Sequence, residues 1–176
     1  MTFKKIALTT ALFAAVSGMS VNANADASSE VTLQGIITNT TCTVTVNGGK
    51  SVLNLGVQKA SDFVANTKLG DIEMPVTLSN CSADDGETGQ LIIQGLTSVK
   101  NNDKNLFVSD DNNSVGFMIT PEGSTTAIKN GEGAQLAVAQ GETGATYNFK
   151  VGMASTTAAP ATGSYSAPIL VAYIVQ

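Results

Sequence analysis

The 176-residue sequence contains no histidine and no arginine, since all nine of its basic residues are lysines. Histidine is the commonest general base and a frequent metal ligand, so its absence removes histidine-dependent catalytic triads and the usual zinc sites. A zinc site built from cysteine alone needs four ligands, and the chain has two cysteines. Nucleic acid is not an expected partner, because phosphate binding depends on clustered arginine and lysine. We therefore predict a protein that is not an enzyme and that carries neither a cofactor nor a metal ion.

The carboxylates do not suggest a site either. Two pairs of neighbouring aspartates, Asp84-Asp85 and Asp110-Asp111, lie in polar stretches typical of solvated turns. The second pair begins a stretch with the spacing of a calcium-binding loop, but the glycine and the final glutamate of that loop are missing at the required offsets. The acidic residues are best explained as surface groups that keep the protein in solution.

The first 25 residues have the three parts of a secretory signal peptide. Lys4 and Lys5 give a positive start, residues 6–16 are an apolar stretch too short to span a bilayer, and Ala23-Asn24-Ala25 is a small-residue cleavage site. Cleavage there makes Asp26 the first mature residue, and cleavage two residues later is the less favoured alternative. The mature chain keeps seven lysines against 14 acidic residues, a net charge of −7. We expect one exported, acidic domain.

Both cysteines, Cys42 and Cys81, fall in the mature chain. In an oxidising compartment an isolated pair is expected to form a disulfide. Closing a loop of about forty residues would stabilise the fold by roughly 4 kcal/mol on the chain-entropy model. The alternatives are two free thiols or a metal site, and the second needs more ligands than the chain supplies.

Short β-segments separated by glycine, asparagine and aspartate run through the mature chain. No stretch keeps a 3.6-residue apolar period for more than two turns, and the best helical candidate, residues 60–65, is a single turn at most. About eight short strands in a chain of this length indicate an all-β sandwich. The predicted strands are 31–38, 42–46, 52–57, 72–78, 91–93, 106–108, 115–119, 135–138, 146–154 and 169–176.

The two ends of the mature chain have complementary patterns. From Ile169 onward the sequence is almost wholly apolar, which predicts a strand buried on both faces and an aggregation hazard unless a neighbour pairs with it. At the other end, Val31 and Leu33 alternate with Thr32 and Gln34 after a short polar tail. This segment is either an ordinary first strand or a donor strand for the terminal strand of a neighbouring copy. The second interpretation gives a head-to-tail polymer, because a heterologous contact that does not close makes an open filament.

Several segments, in order along the chain, resemble the pilin subunits of chaperone–usher fimbriae of Gram-negative bacteria, of the type 1 and related kinds. Gly163 also stands fourteenth from the C-terminus, where the family has a glycine. The family usually has an aromatic residue second from the end, where this chain has Val175, and Tyr173 stands two residues earlier on the same face. The matching segments are Val31-Thr32-Leu33-Gln34-Gly35 followed by Cys42, then Ser51-Val52-Leu53-Asn54-Leu55-Gly56, Met74-Pro75-Val76-Thr77-Leu78-Ser79-Asn80-Cys81 and Val115-Gly116-Phe117-Met118-Ile119.

The resemblance implies an incomplete immunoglobulin-like β-sandwich, residues 36–176, with an open groove along its C-terminal strand. A donor strand from a neighbouring subunit or a periplasmic chaperone would complete the sandwich, and an outer-membrane usher would exchange one for the other. Residues 26–35 would be the donor extension, in the register Ala27, Ser29, Val31, Leu33 and Gly35. The chaperone-binding and groove residues would be Gly163, Ile169, Val171, Tyr173, Val175 and Gln176.

The implied function is that of a structural subunit of an adhesive fimbria, exported through the periplasm to the cell surface. Two alternatives stay open. One keeps the fold but makes the chain a minor, adaptor or receptor-binding subunit, in which a loop such as 97–114 binds a host surface receptor; Phe107 is the single aromatic residue of that loop. The other is an unrelated secreted β-sandwich module that stays monomeric and needs no chaperone.

Overall fold

A computed structural model of the chain describes residues 35, 42–82 and 86–175, all within one compact unit, Gly35–Gln176. The described residues contain seven strands and two short 3-10 turns, Asn47–Gly49 and Ala60–Asp62, so the predicted all-β class is confirmed. No helix in this part of the chain has the length and hydropathy needed to span a bilayer. The predicted strand at 31–38 lies outside the described residues except for Gly35. The strands are β1 (Thr43–Val46), β2 (Leu69–Ser79), β3 (Glu87–Gly95), β4 (Val115–Thr120), β5 (Gly133–Val138), β6 (Ala145–Ser155) and β7 (Ile169–Val175).

The strands form two antiparallel sheets with a shared core. The larger sheet has the order β1-β2-β6-β4, and the smaller has the order β5-β3-β7. Apolar side chains alternate along the strands of both sheets, so each sheet presents one apolar face to the other. Val76 of β2, Leu91 of β3 and Phe149 of β6 are fully buried between them.

The disulfide between Cys42 and Cys81 is present. It links the residue before β1 to the second residue after β2, next to the Thr43–Ser79 pair that begins the β1–β2 ladder. β1 is a short edge strand that pairs with β2 alone among the described strands. The bridge therefore holds the shortest ladder of the larger sheet at one end.

A second, smaller core lies on the outer side of β4. Residues 106–108, predicted as a strand, instead form a crossing segment in which Phe107 makes isolated β-bridges to Thr97 and Phe117. Gly116 permits this crossing, because a Cβ atom there would clash with the carbonyl oxygen of Phe107. The buried residues of this core are Leu106, Val108, Met118 and Ala154.

The sequence also predicts a strand at 52–57, and the structure has none there. The Asn54 side chain accepts a hydrogen bond from the backbone N–H of Gly56 at 2.8 Å, and Gly56 has a φ of 76°, so the chain turns locally. Leu55 still packs against the main core, whereas Val52 and Val57 are exposed. The segment keeps the inside–outside alternation of a strand without a described strand beside it.

Candidate functional site

β7 forms one edge of the smaller sheet. It pairs with β3 along its full length, from Gly95 opposite Ile169 to Gly89 opposite Val175. On its other side, no strand among the described residues pairs with it. Edge strands of this kind can accept a further strand through their backbone groups.

A groove of about 840 Å³ opens beside the start of β7. We call it the acceptor groove. Its rim comes from the segments 50–55 and 165–168, and its floor comes from both sheets and the 106–108 crossing. Much of the floor belongs to the main apolar core, so the groove is an opening into that core. The apolar floor residues include Met74, Phe107, Phe117, Ile119, Val151 and Val171.

A second cavity, of about 520 Å³, adjoins the acceptor groove at Tyr165. It is lined by the segments 52–58 and 160–165, with Phe63 and Met153 at its base. The Tyr165 hydroxyl donates a hydrogen bond to the carbonyl oxygen of Ala161 at 2.8 Å. The ring of Tyr165 therefore stands where the two cavities meet.

The sequence matches no protein-family model and no curated protein. Among solved structures, the P pilus rod subunit PapA aligns with a TM-score of 0.60 at 15% identity, over 77% of this chain and 99% of that chain. The chain has the fold of a chaperone–usher pilus subunit. A solved chaperone–usher pilus that reveals the molecular basis of rod uncoiling aligns with a TM-score of 0.57 at 15% identity, over 85% of this chain and 96% of that one. The pilin fold expected from the sequence is thereby confirmed.

Within this pilin fold, four of the predicted groove residues, Ile169, Val171, Tyr173 and Val175, share one face of β7. Ile169 and Val171 line the acceptor groove. Tyr173 turns into the core, where it is 1% exposed, and its hydroxyl donates a hydrogen bond to the carbonyl oxygen of Leu136 at 3.1 Å. Val175 packs against the same core. Contact between these residues and a chaperone stays a prediction, and Gln176 lies outside the described residues.

The opposite face of β7 corrects one expectation. The sequence predicts burial on both faces, but Leu170 is 56% exposed. The reason is that the smaller sheet of the pilin fold packs against the larger sheet on one side, so the alternate residues of β7 point away from the core. An apolar strand therefore presents apolar side chains outward.

The predicted glycines of the site are not required by the local packing of the pilin fold. A Cβ atom on Gly163, in the loop before β7, would meet the Tyr165 ring at 3.6 Å, which is an ordinary contact. Gly35 is exposed, and a Cβ atom there would meet no described residue within 4 Å. The signal peptide and the donor residues Ala27, Ser29, Val31 and Leu33 lie outside the described residues, so the donor register stays a prediction.

Sequence reasoning missed Gly89 of β3, which lies opposite both Val175 and Leu136. A Cβ atom there would be 2.7 Å from the ring of Tyr173 and 2.5 Å from the carbonyl oxygen of Ile174. The missing side chain gives Tyr173 the room to cross β3 and reach β5. A glycine inside a strand pattern was the available signal, since it often marks such a close approach.

The charged groups of the pilin fold lie away from the groove floor. On the outer face of the larger sheet, Lys150 and Glu73 form an ion pair with an N–O distance of 2.7 Å. The hydrogen bond to Glu73 raises the pKa of Lys150, desolvation opposes this, and the negative charges of Glu73, Asp71 and Glu122 add to the rise. The described residues contain no group of three or more metal-ligating side chains. The groove itself suits an extended, apolar ligand.

Proposed function

We propose that this pilin-fold chain is a structural subunit of an adhesive fimbria, and that it polymerises head to tail by donor-strand complementation. The observation that carries the proposal is the edge of β7 that no described strand covers, beside the apolar acceptor groove. An incoming strand would form backbone hydrogen bonds along β7 and place alternate side chains in the groove. The likeness in fold to pilus rod subunits supports this reading of the groove.

The N-terminal extension has the length and pattern of the donor. The seven residues of β7 extend about 23 Å, and residues 27–35 would extend about 30 Å as a strand, so one extension can run beside the whole of β7. Val31 and Leu33 supply the large apolar side chains of its inward face. Each would stabilise the complex by about 1.5–3 kcal/mol if fully buried.

A subunit waiting to assemble needs a cover for its groove, because an open apolar groove and a strand edge favour aggregation. A periplasmic chaperone would supply that cover by lending a strand to β7, in contact with Ile169 and Val171. An outer-membrane usher would then exchange the chaperone strand for the extension of the next subunit. The product would be a fimbria on the cell surface that takes part in adhesion.

A receptor-binding role for the loop 97–114 has less support. Phe107, its single aromatic side chain, is fully buried and forms part of the groove floor. It is therefore not available as a platform on which a sugar ring could stack.

The direct test uses cells that express the chain together with its chaperone and usher. Material sheared from their surface is run on a denaturing gel, unboiled and boiled. Donor-strand polymers give a ladder without boiling that collapses to one band near the mature mass after boiling. A single monomer band in both lanes would contradict the proposal and favour a secreted, monomeric β-sandwich.

A further inference from the structure

The chain contains two asparagine–glycine pairs, Asn47-Gly48 and Asn130-Gly131, and both lie in turns. An asparagine before a glycine is open to attack by the backbone nitrogen that follows it, because glycine has no side chain to keep that nitrogen away from the asparagine amide. The attack removes ammonia and converts the asparagine to an acid. The surroundings of the two pairs differ, and the difference decides which one can react in the folded chain.

The first pair lies in a turn with few packing contacts. It begins the 3-10 turn Asn47–Gly49, directly after β1. Asn47, Gly48 and Gly49 have positive φ angles of 53°, 61° and 78°. Both glycines are exposed, and a Cβ atom on either would meet no described residue within 4 Å. A local opening that brings the Gly48 nitrogen to the Asn47 side chain therefore costs little free energy.

The side chain of Asn47 ties the rim of the acceptor groove to the end of β1. Its Nδ2 donates hydrogen bonds to the carbonyl oxygen of Val52 at 2.9 Å and to that of Lys50 at 3.3 Å. All three residues line the groove. Because both partners are carbonyl oxygens, only a side chain with N–H or O–H groups can bind them, and the amide nitrogen supplies two N–H groups.

The second pair is anchored on the central strand of the smaller sheet. The Oδ1 atom of Asn130 accepts a hydrogen bond from the backbone N–H of Gly95 at 3.1 Å. The N–H of Gly131, whose nitrogen would have to attack, donates to the carbonyl oxygen of Ile93 at 2.8 Å. Ile93 is fully buried on β3. Reaction at this pair therefore needs the end of β3 to open first.

We propose that Asn47 is a site of spontaneous deamidation, and that the reaction releases the rim of the acceptor groove. The Gly48 nitrogen forms a bond to Cγ of Asn47, the bond from Cγ to Nδ2 breaks, and the proton of the Gly48 nitrogen leaves with the ammonia. Water then opens the cyclic imide to aspartate or isoaspartate, and no oxidant or reductant takes part. The new carboxylate has no N–H group for the carbonyl oxygens of Val52 and Lys50, so the tie is lost.

The consequence for assembly rests on the proposed function, whereas the reaction itself does not. A donor strand would enter the groove beside the rim at 50–52. A released rim has to be ordered again when the strand enters, and that loss of conformational entropy opposes entry. A subunit that waits too long before assembly therefore becomes a poor acceptor, so newly made subunits are favoured in fibre growth.

The first experiment follows the reaction directly. The purified mature chain is aged in warm, mildly alkaline buffer, and both pairs are followed by peptide mapping with mass spectrometry. Asn47 should convert at least about tenfold faster than Asn130, because its turn opens more readily. Asn130 is the matched control, since it belongs to the same dipeptide. Equal rates, faster conversion at Asn130, or an Asn47 amide that stays intact would overturn the proposal.

The second experiment measures how fast a synthetic peptide of residues 26–35 replaces the chaperone on the subunit. Asn47→Asp reproduces the product of the reaction. Asn47→Gly removes both hydrogen bonds without adding a charge, and glycine accepts the positive φ of this position. Both variants should exchange about tenfold more slowly than the wild type, through the lost hydrogen bonds. Asn130→Asp is the control and should match the wild type, because a carboxylate oxygen can still accept the N–H of Gly95.

The outcomes of the exchange experiment separate the two proposals. A wild-type exchange rate in Asn47→Asp or in Asn47→Gly would overturn the role of the tie in holding the rim. The same slowing in Asn130→Asp would also overturn it, since the added charge alone would then explain the effect. A wild-type subunit that never takes up the peptide would instead refute the proposed function, while conversion of Asn47 would still be measured in the aged chain.

Discussion

The ring of Tyr173 crosses the backbone of Gly89, and this relationship ties all three strands of the smaller sheet together. Tyr173 lies on the edge strand β7, Gly89 lies on the central strand β3, and the Tyr173 hydroxyl reaches the carbonyl oxygen of Leu136 on β5 at 3.1 Å. The edge that would receive a donor strand is thus fixed to the far edge of its sheet by one side chain. A fixed edge keeps the groove in a shape that an incoming strand can enter.

Gly89→Ala should destabilise the purified chain by about 1–3 kcal/mol, because the new methyl group overpacks the site against Tyr173 and the carbonyl oxygen of Ile174. Tyr173→Phe should cost about 1 kcal/mol through loss of the hydrogen bond to Leu136. Urea unfolding followed by circular dichroism measures both. Gly163→Ala is the matched control, since that position has room for a methyl group. Equal urea midpoints for Gly89→Ala and Gly163→Ala would show that the close approach of Tyr173 to Gly89 does not constrain the fold.

Leu33→Asp should abolish the unboiled ladder and leave chaperone binding unchanged. The physical reason is that an unpaired carboxylate in an apolar groove costs several kcal/mol, while the chaperone would use β7 rather than the extension. Thr32→Asp is the control, because its side chain would point away from the groove. Gel ladders and co-purification with the chaperone give the two readouts. A full ladder from Leu33→Asp would refute the donor register.

The double variant Cys42→Ser with Cys81→Ser should lose about 4 kcal/mol of stability, since the disulfide closes a loop with a sequence separation of 39. The loss should be concentrated at β1, whose ladder the bridge holds at one end. Urea midpoints of this variant and of the reduced wild type should agree. Non-reducing mass spectrometry provides the independent check, and two free thiols in the mature wild type would contradict the pairing.

Lys150 gives a prediction for alkaline solution. Its pKa in the folded chain is raised above the ordinary value of 10.5, chiefly by the hydrogen bond to Glu73. The contribution of the Lys150–Glu73 pair to the stability of the fold is therefore complete below pH 10.5. It is lost as the pH rises through the higher pKa that Lys150 has in the folded chain. Lys150→Gln should show a shallower fall in Tm above pH 10.5 than the wild type. The effect should be small because the pair is exposed to solvent. Lys59→Gln, at a lysine without an ion pair among the described residues, should behave like the wild type.

Hydrophobic periodicity was enough to predict the all-β class and most strands. Segments such as 72–78 and 146–154 fall inside β2 and β6, because half-buried strands leave a clear two-residue alternation. The same alternation gave a wrong strand prediction at 52–57. There, Asn54 and Gly56 turn the chain, and no described strand lies beside this segment. Periodicity reports which side chains face the core, and it does not report whether the backbone has a partner.

The site was only partly predictable for a related reason. The sequence pointed to β7 and to Ile169 and Val171, which line the groove. It did not reveal that Phe107 forms part of the floor, because that contact depends on a crossing segment admitted by Gly116. Nor did it reveal the role of Gly89, which depends on the ring of Tyr173 on β7, a strand far from Gly89 in sequence.

The position of β7 in the chain has a consequence for the timing of folding. Its only described strand partner is β3, and Gly89 of β3 pairs with Val175 near the C-terminus. The smaller sheet cannot close until β7 pairs with β3, and pairings between segments distant in sequence form slowly. During that interval the apolar faces of both sheets are uncovered, so the rate of folding, as much as the final stability, decides how much of the chain escapes proteolysis and aggregation.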